Sequence, residues 1–425
     1  MNKLFVSASL VFAILSGGNT KIMAEKETVR LTPITIAEAW QMAVNNNLML
    51  QAKNQEVKMA HANLRQERLW DNPEVSISHN VNNPVTHRYF ELGKEGETDV
   101  QLSQRIYIGG QRGERGRKAT ADLHRTECER DDNERLLRRS LCGTMVTLQS
   151  LHQKLEVIDK ELSSISKIMQ AYKNQVDKGN VTPADLVRMR SQHMQLLQER
   201  ALVVQEEIEQ DQQLRLMIGN PLAEGQTTLL TPTISYDDNV AHLDSIDKKA
   251  IVVRLANRAD MRADAHDVTS ALHEVRLQKA NSLPELNLTG EWDKNGNIGH
   301  NYFGVGVSVT LPLFNRNQGG RKMASAQLEA KRIEQEQNKR EALSEIDVAW
   351  RKLTYSRQMA SHMAQHVEQE SDRMMAEMEQ QYMKRNVSLL ELLDYYQTYK
   401  ANCFLLIETK RDVLLSMQEL DIEMK

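Results

Sequence analysis

The chain has 425 residues, of which 5% are aromatic, 26% are charged and only 8 are proline. So few aromatic rings and helix breakers argue against two or three ordinary globular domains and favour long helices. The formal net charge of −4 gives no strongly basic surface, which excludes nucleic acid as an expected partner. We therefore expect a mainly α-helical protein.

The first residues are typical of a secretory signal peptide. Lys3 supplies a positive charge, about twelve apolar residues run from Leu4 to Leu15, and Ala24 is a candidate for the last residue before cleavage. That run is too short to span a membrane, and no later run reaches about 18 apolar residues. The sequence predicts that residues 1–24 are removed on export. It also predicts a mature chain without a transmembrane helix, which could meet a membrane only as a β-barrel or peripherally.

Residues that could carry chemistry are scarce. The sequence has no Gly-rich phosphate loop, no Cys-x-x-Cys pair and no Gly-x-Ser-x-Gly motif. The cysteines, Cys128, Cys142 and Cys403, leave at least one free thiol and are interpreted as packing residues. His362 and His366 are four positions apart on a predicted helix and could hold a metal, although such residues more often pack or face solvent. We expect no enzyme activity, no cofactor and no metal site.

The chain carries the same pattern twice. Pro73-Glu74 corresponds to Pro284-Glu285, at an offset of 284 − 73 = 211 residues. Asn180-Val181-Thr182 corresponds to Asn386-Val387-Ser388, at an offset of 386 − 180 = 206 residues, and loop insertions account for the drift. Each half predicts a helix, a strand pair, a very long helix, a short turn and a long return helix. The predicted divisions are a first repeat over 25–218, a linker segment over 219–256 at the girdle of the helices, and a second repeat over 257–425.

In the first repeat, Thr35 and Glu38 form a capping-box pattern that starts a helix. Alternating residues on both sides of a polar loop predict a β-hairpin over 74–108. Long helices are predicted over 116–178 and 183–218. A helix over 116–178 would be roughly 95 Å long, far longer than a globular domain.

The second repeat predicts a hairpin over 286–313 and long helices over 320–384 and 388–424. Apolar residues recur every seven positions in the long helices of both repeats, which is typical of coiled-coil packing. Lys410 interrupts this seam in the last helix, where it would face a lumen or fix the register. The seams of the first long helix contain Leu141, Leu148, Leu155, Leu162 and Met169, and Leu137, Leu151, Ile158, Ile165 and Tyr172.

The last predicted strand alternates between apolar residues and small or polar ones. Its apolar residues run from Phe303 to Leu311, and this alternation is the lipid-out, lumen-in pattern of a membrane barrel. Four strands cannot close a barrel, so copies would have to combine, and three copies would supply about twelve strands. An edge hairpin of a soluble β-domain is the alternative. The aromatic residues expected at the membrane interface are Tyr107, Trp292, Tyr302, Phe303 and Phe314.

These features together resemble the outer-membrane efflux protein family, the TolC-like outer-membrane factors. The resemblance covers essentially the whole mature chain. It rests on the order of the doubled elements, on the Thr35–Glu38–Ala39 start, on its echo at 257–260, and on Leu311-Pro312-Leu313-Phe314. It implies a mainly α fold with a small β part. Long antiparallel coiled-coil helices would form a periplasmic α-barrel, continuous with a trimeric 12-stranded outer-membrane β-barrel.

The resemblance also implies a function and partners. The chain would be the outer-membrane channel component of a tripartite efflux or type I secretion system in a Gram-negative cell, extending into the periplasm. It would act as a passive exit duct. Its partners would be two further copies in a homotrimer, outer-membrane lipid, a periplasmic adaptor, and an inner-membrane pump of the RND or ABC type.

Site residues follow from the same resemblance. Asp185, Glu391 and Asp394 would line a constricted entrance, and Tyr382 matches a gate tyrosine of the family. Three copies of Glu391 and Asp394 would form carboxylate rings that attract cations. Arg385 departs from the family, because glycine is common there. The tips that dock the adaptor would contain Gly179, Asn180, Val181, Thr182, Arg385, Asn386, Val387 and Ser388.

A soluble periplasmic coiled-coil adaptor or scaffold protein is the alternative function. An adaptor would carry a lipoyl-like β-domain between two hairpin helices, and it would not repeat the whole pattern twice. Cell fractionation discriminates between the two, because only the channel would be an outer-membrane trimer.

Overall fold

A computed structural model describes residues 30–83, 86–176, 183–220, 228–236, 248–296, 299–367 and 371–424. The predicted signal peptide, 1–24, and the predicted first tip, Gly179–Thr182, lie outside these residues. No helix within them is long and apolar enough to cross a membrane. In chain order the elements are β1 (Arg30–Ile34), α1 (Ile36–Asn46), α2 (Leu48–Glu67), β2 (Glu74–His79), β3 (Thr98–Tyr107), α3 (Gln111–Val176), α4 (Pro183–Ile218), β4 (Thr228–Pro232), α5 (Lys248–Arg254), a 3₁₀ turn (Leu255–Asn257), α6 (Ala259–Ala280), β5 (Glu285–Gly296), β6 (Gly299–Thr310), α7 (Gln318–Val367), α8 (Ser371–Met383) and α9 (Leu389–Met424).

The first helix begins where the sequence predicts. The Thr35 hydroxyl accepts the Glu38 backbone N–H at 3.2 Å, and the Glu38 carboxylate accepts the Thr35 N–H at 2.9 Å, so the capping box is present. Asn47 then ends α1 and starts α2, because its Oδ1 accepts the N–H of Leu50 at 3.0 Å.

The prediction that the first long helix begins near residue 116 is wrong, because α3 begins at Gln111. Gly110, with a φ of +78°, makes the turn from β3, and its carbonyl accepts the N–H of Glu114 at 3.0 Å. Gly116 lies inside the helix, where a Cβ would come within 3.2 Å of Cγ of Arg68. The glycine therefore allows α2 to approach α3 closely rather than starting a helix.

The other long helices differ from the predictions in detail. α4 spans Pro183–Ile218, with proline at the first helical position. In place of one helix over 320–384, the structure describes α7 and α8 on either side of residues 368–370, which lie outside the described part. α9 begins at Leu389 because Ser388 is its N-cap.

The two predicted hairpins join into one antiparallel sheet in the order β2-β3-β5-β6. β6 ends at Thr310, two residues before Pro312, which has no N–H to donate to a strand ladder. A second sheet, which the sequence did not predict, pairs β1 with β4 of the linker in parallel. α3 runs from the end of the four-stranded sheet towards the hairpin tips, whereas α4 ends at Ile218, beside the small sheet.

The small sheet packs where α4 ends. Arg215 Nε lies 2.6 Å from Asp211 Oδ2 in a buried pair, and Asp211 Oδ1 accepts the N–H of Leu230 in β4 at 2.8 Å. Asn47 donates to the carbonyl of Met217 at 2.8 Å, which attaches the α1–α2 junction at the same level. We call the Asp211–Arg215 pair, together with β1 and β4, the equatorial clamp.

Most of the predicted coiled-coil seam residues are buried between the helices. Leu141, Leu148 and Ile158 of α3 are fully buried, as are Tyr396 and Val413 of α9. The Lys410 ammonium lies 5.4 Å from the centroid of the Tyr236 ring, so this exception in the seam contacts the linker.

A polar layer interrupts the seams between the equator and the tips. Glu161 of α3 is completely buried, and Lys400 Nζ of α9 lies 4.0 Å from it but only 2.6 Å from Glu199 of α4. Burial, which the Lys400 charge offsets only in part, raises the pKa of Glu161 to about 7. On the same level, the Tyr396 hydroxyl donates to Glu379 of α8 at 3.1 Å, so the layer joins α3, α4, α8 and α9.

The buried Glu161 carboxyl makes stability depend on pH. Its folded-state pKa of about 7 exceeds the ordinary 4.5, so its contribution is fully present below pH 4.5 and is lost as the pH rises through 7. The loss is on the order of 3 kcal/mol. We expect Glu161→Gln to flatten the fall in thermal stability between pH 5 and 8, and the exposed Glu209→Gln to leave it unchanged. His152, whose own pKa is raised by its hydrogen bond to Glu207, retains part of the slope. Equal slopes for Glu161→Gln and wild type would refute the assignment.

Candidate functional site

The described tip connects two predicted gate residues, Asp185 and Tyr382, through Tyr172. The rings of Tyr172 in α3 and Tyr382 in α8 stack with centroids 6.0 Å apart, and the Tyr172 hydroxyl donates to Asp185 of α4 at 3.4 Å. Tyr382 is only 7% exposed, and burial, followed by the neighbouring Tyr172, raises its pKa above the ordinary value, so the phenol stays neutral. Sequence reasoning assigned Tyr172 to the heptad seam alone and missed this link.

A helix C-cap shapes the turn after α8. Arg385 has a φ of +63°, its N–H donates to the carbonyl of Tyr382 at 2.9 Å, and the N–H of Asn386 donates to the carbonyl of Gln381 at 3.0 Å. This is the Schellman pattern, in which glycine is the usual left-handed residue. The C-terminus of α4 has the same two bonds with Gly219 at that position, with a φ of +66°.

Glu391 has a local partner that the sequence analysis overlooked. Its carboxylate accepts both the N–H and the hydroxyl of Ser388 at 2.8 Å, which forms a capping box at the start of α9. The backbone bond first, and then the hydroxyl bond, lower the pKa of Glu391, so the carboxylate is ionised. The pattern Ser-x-x-Glu was readable, since it matches the Thr35–Glu38 box. Asp394 lies exposed one turn further along α9.

An open cleft runs beside this turn. Asp185, Tyr382, Arg385, Val387 and Ser388 all line it, whereas Glu391 and Asp394 do not. Of the predicted entrance residues, the structure therefore groups Asp185 and Tyr382 with the Arg385–Ser388 turn and leaves the other two carboxylates beside it.

The four-stranded sheet has two chemically different faces. Successive residues of a strand point to opposite faces, and cross-strand partners share a face. Val75, Leu102 and Val305 therefore define one face. Ser76, Gln101 and Gly304 define the other. The first face is apolar and exposed, with Val305 96% accessible. Its members are Val75, Ile77, Val100, Leu102, Ile106, Leu286, Leu288, Trp292, Phe303, Val305, Val307 and Val309, with Gln104 and Gly290 and, at the end remote from the helices, His79, Thr98 and Lys294 as exceptions. The polar face contains Ser76, Ser78, Asp99, Gln101, Ser103, Arg105, Asn287, Thr289, Glu291, Asp293 and Ser308.

The predicted interface aromatics divide between these faces. Trp292 and Phe303 lie on the apolar face with ring centroids 6.5 Å apart, and Phe314, beyond β6, is exposed. Tyr107 and Tyr302 lie on the polar face, and the Tyr107 hydroxyl donates to Asp71 at 2.7 Å. These two tyrosines are therefore not placed to contact the same surface as Trp292 and Phe303.

Another exposed aromatic was missed. Trp70 lies in the segment between α2 and β2, where the Arg112 guanidinium covers its ring at 3.9 Å. Nothing in the local pattern marks this tryptophan, because its partner comes from α3. Among the described residues, no three His, Cys, Asp or Glu side chains are arranged to hold a metal.

The helices at the two edges of the chain expose uncharged seams. α2 and α4 pack on α3, while α7 packs on α6 and α9, so α2 and α4 form one edge and α7 the other. Positions spaced by three and four residues on these helices are exposed, and in α2 and α4 none is charged. On α7, Glu341 and Arg351 interrupt the seam. The seams are Leu48, Ala52, Gln55, Met59, Ala62 and Gln66 on α2; Val187, Ser191, Met194, Gln198, Ala201, Gln205, Ile208, Gln212 and Leu216 on α4; and Met323, Ala326, Ala330, Ile333, Gln337, Ser344, Val348 and Tyr355 on α7.

The outer membrane efflux protein family matches the sequence twice, over residues 39–220 and 250–421. The chain therefore belongs to this family of outer-membrane efflux channels, and the double match confirms that the pattern occurs twice. Its location is the outer membrane, with the helices extending into the periplasm.

Solved structures agree with this fold. The chain is similar to the Campylobacter jejuni CmeC outer membrane channel, with a TM-score of 0.76 and 17% identity over 92% of this chain and 85% of that one. A membrane protein from Pseudomonas aeruginosa has a TM-score of 0.74 at 16% identity, covering 92% and 93%. The outer membrane protein VceC from Vibrio cholerae has a TM-score of 0.70 at 16% identity, covering 92% and 96%. No curated protein sequence matches the chain.

Arg385 provides a test of the tip geometry. A non-glycine residue in the left-handed region lowers folding stability by about 1–2 kcal/mol. Glycine removes this penalty, but it also makes the unfolded chain more flexible, which offsets part of the gain. We expect Arg385→Gly to stabilise the protein by about 1 kcal/mol in thermal unfolding. Gly219→Ala is the matched control and should destabilise it, because its Cβ would lie 2.6 Å from the carbonyl oxygen of Asn46. A less stable Arg385→Gly would contradict the proposed cap.

Proposed function

We propose that three copies of this chain close into a channel that serves as the passive exit duct of a tripartite efflux or type I secretion system. The observation that carries the proposal is the four-stranded sheet. It combines an exposed apolar face with two edge strands, β2 and β6, that pair with no outer strand among the described residues. Such a sheet is unfavourable in water, and beside lipid its edges must be paired.

Pairing β2 of one copy with β6 of the next satisfies both edges. Three sheets of four strands then make a barrel of about twelve strands, an even number within the range of outer-membrane barrels. The apolar face turns towards lipid and the polar face, with Asp99, Glu291 and Asp293, towards a water-filled lumen. Cargo passes along this surface without chemical change, so the chain acts as a duct and not as an enzyme.

The helical seams support the same closure. α2 leads into β2, and α7 follows β6, so the exposed seams lie on the same two edges as the open strands. α7 of one copy would pack against α2 and α4 of the next, running antiparallel to both. This arrangement covers the uncharged positions with a sister helix and continues the alternation of direction around the ring.

The tips carry the partner contacts and the entrance in this proposal. The Arg385–Ser388 turn and residues 179–182, which the sequence predicts as the other tip, would dock a periplasmic adaptor that links the channel to an inner-membrane pump of the RND or ABC type. Tyr382 and Asp185 would restrict the entrance together with Tyr172. Glu391 and Asp394 of the three copies would ring the opening with negative charge.

A soluble adaptor or scaffold is the second candidate. The exposed apolar face, with Phe303 75% and Val305 96% accessible, disfavours it. Cell fractionation followed by native mass spectrometry in detergent tests the choice, because the channel is expected as an outer-membrane trimer. A monomer that stays in the periplasmic fraction would refute the channel.

Neighbouring residues on opposite faces of β6 test the orientation of the sheet. Val307→Arg would place a charge among the lipid acyl chains and destabilise the inserted protein by about 2–4 kcal/mol, whereas Ser308→Arg would place the charge in the lumen. We expect the first variant to lose outer-membrane insertion and the second to insert and alter conductance. The proportion of heat-modifiable trimer in outer-membrane fractions measures this. Equal insertion of both variants would contradict a lipid-facing Val307.

Charge at the entrance can be removed without breaking the cap. Gln at the position of Glu391 still accepts the bonds from Ser388, so Glu391→Gln with Asp394→Asn removes two charges per copy and keeps the capping box. We expect a lower cation-to-anion permeability ratio in planar bilayers, measured as a reversal potential across a salt gradient. Glu206→Gln, on the exposed side of α4, is the control. An unchanged reversal potential in the double variant would count against the rings.

A further inference from the structure

The apolar face of the sheet continues beyond the last paired strand residues. At the end remote from the helices, His79 and Thr98 pair on this face, and their side chains share a hydrogen bond of 2.9 Å. Val81 falls on the same alternation as Val75 and Ile77. The N–H of Phe90 donates to the carbonyl of Val81 at 2.9 Å, which brings the far side of the loop back beside it.

This loop, between β2 and β3, has a fixed internal structure. Asn83, 8% exposed, donates to the carbonyl of Glu95 at 2.7 Å and to the Glu91 carboxylate at 3.2 Å. Lys294 of β5 donates to the carbonyls of Leu92 and Gly93 at 2.9 and 3.0 Å, which attaches the loop to the neighbouring hairpin. These bonds tie the described residues of the loop to one another and to β5.

Large apolar side chains on this loop nevertheless point outward. Val81, Tyr89, Phe90 and Leu92 are between 54% and 79% exposed. Phe90 also has a φ of +50°, a left-handed conformation that is rare and unfavourable for an aromatic residue. A chain that only needed a soluble loop would gain by placing a small or polar residue at this position.

We propose that Val81, Phe90 and Leu92 form a membrane anchor that inserts into the outer leaflet at the boundary between headgroups and acyl chains. Tyr89, which is bridged to Asn82, lies on the side of the polar face and is not part of the anchor. The proposal rests on the proposed function, because it requires the apolar face of the sheet to meet lipid. The occupant is a lipid surface, since the patch extends that face past the His79–Thr98 pair, and aromatic residues are enriched at this depth of a membrane.

Site-directed spin labelling in proteoliposomes of phosphatidylethanolamine and phosphatidylglycerol tests the anchor. A full-length background with Cys128→Ala, Cys142→Ala and Cys403→Ala is first verified as assembled like wild type. A nitroxide is then attached at Phe90→Cys. Its collisions with oxygen, which partitions into lipid, are compared with its collisions with a water-soluble nickel chelate.

Two control positions separate the anchor from the channel itself. Val305→Cys reports on the apolar face, and Ser308→Cys reports on the polar face. We expect the label at 90 to favour oxygen as the label at 305 does, at a shallower depth, and the label at 308 to favour the nickel chelate. A label at 90 as water-exposed as that at 308, with 305 still in lipid, would overturn the anchor and leave the channel standing.

Two further outcomes of the labelling experiment would overturn the anchor. Protection of position 90 from both reagents would mean that protein, such as a sister copy, covers the patch, and would overturn the lipid anchor. A label at 305 that favours the nickel chelate would overturn the lipid-facing sheet, and with it both the proposed function and the anchor.

Discussion

Each edge of the four-stranded sheet carries a row of backbone N–H and C=O groups that no further strand of the sheet pairs. Water can solvate such a row, but lipid cannot, and the apolar face of the same sheet favours lipid over water. These two demands conflict in a single copy, and the proposed edge-to-edge pairing of copies satisfies both. The positions of α2 and α7 follow from this constraint, because each helix is covalently continuous with an edge strand.

Local rules predicted the parts of the fold that depend on neighbours in sequence. The capping box at Thr35 and the proline that opens α4 act within a single helical turn, and both are found where expected. Gly116 was misinterpreted because its role is to admit Arg68, a partner distant in the chain. The β1–β4 pairing escaped notice for the same reason, since strands of about five residues carry little periodicity of their own.

The sequence likewise predicted only part of the candidate site. Asp185 and Tyr382 could be selected only through the resemblance to a family, because a lone acid and a lone tyrosine carry no spacing signal. Tyr172, which links them, was concealed by its place in the heptad seam. Glu391 is a different case. It was interpreted only as an entrance charge, although the four residues from Ser388 to Glu391 contain the capping-box pattern that it forms.

The buried Asp211–Arg215 pair has a mechanical consequence. α3 is one continuous helix of 66 described residues, whereas α4 is fastened to β4 only near its equatorial end. α3 therefore behaves as a rod that passes through the equator, and α4 is held along this rod by the Arg200–Asp159 pair and, at its far end, by the Tyr172–Asp185 hydrogen bond. Any rotation of α4 about its equatorial end would displace the Asp185 end furthest, so the contact next to Tyr382 is the one that such a rotation would strain most.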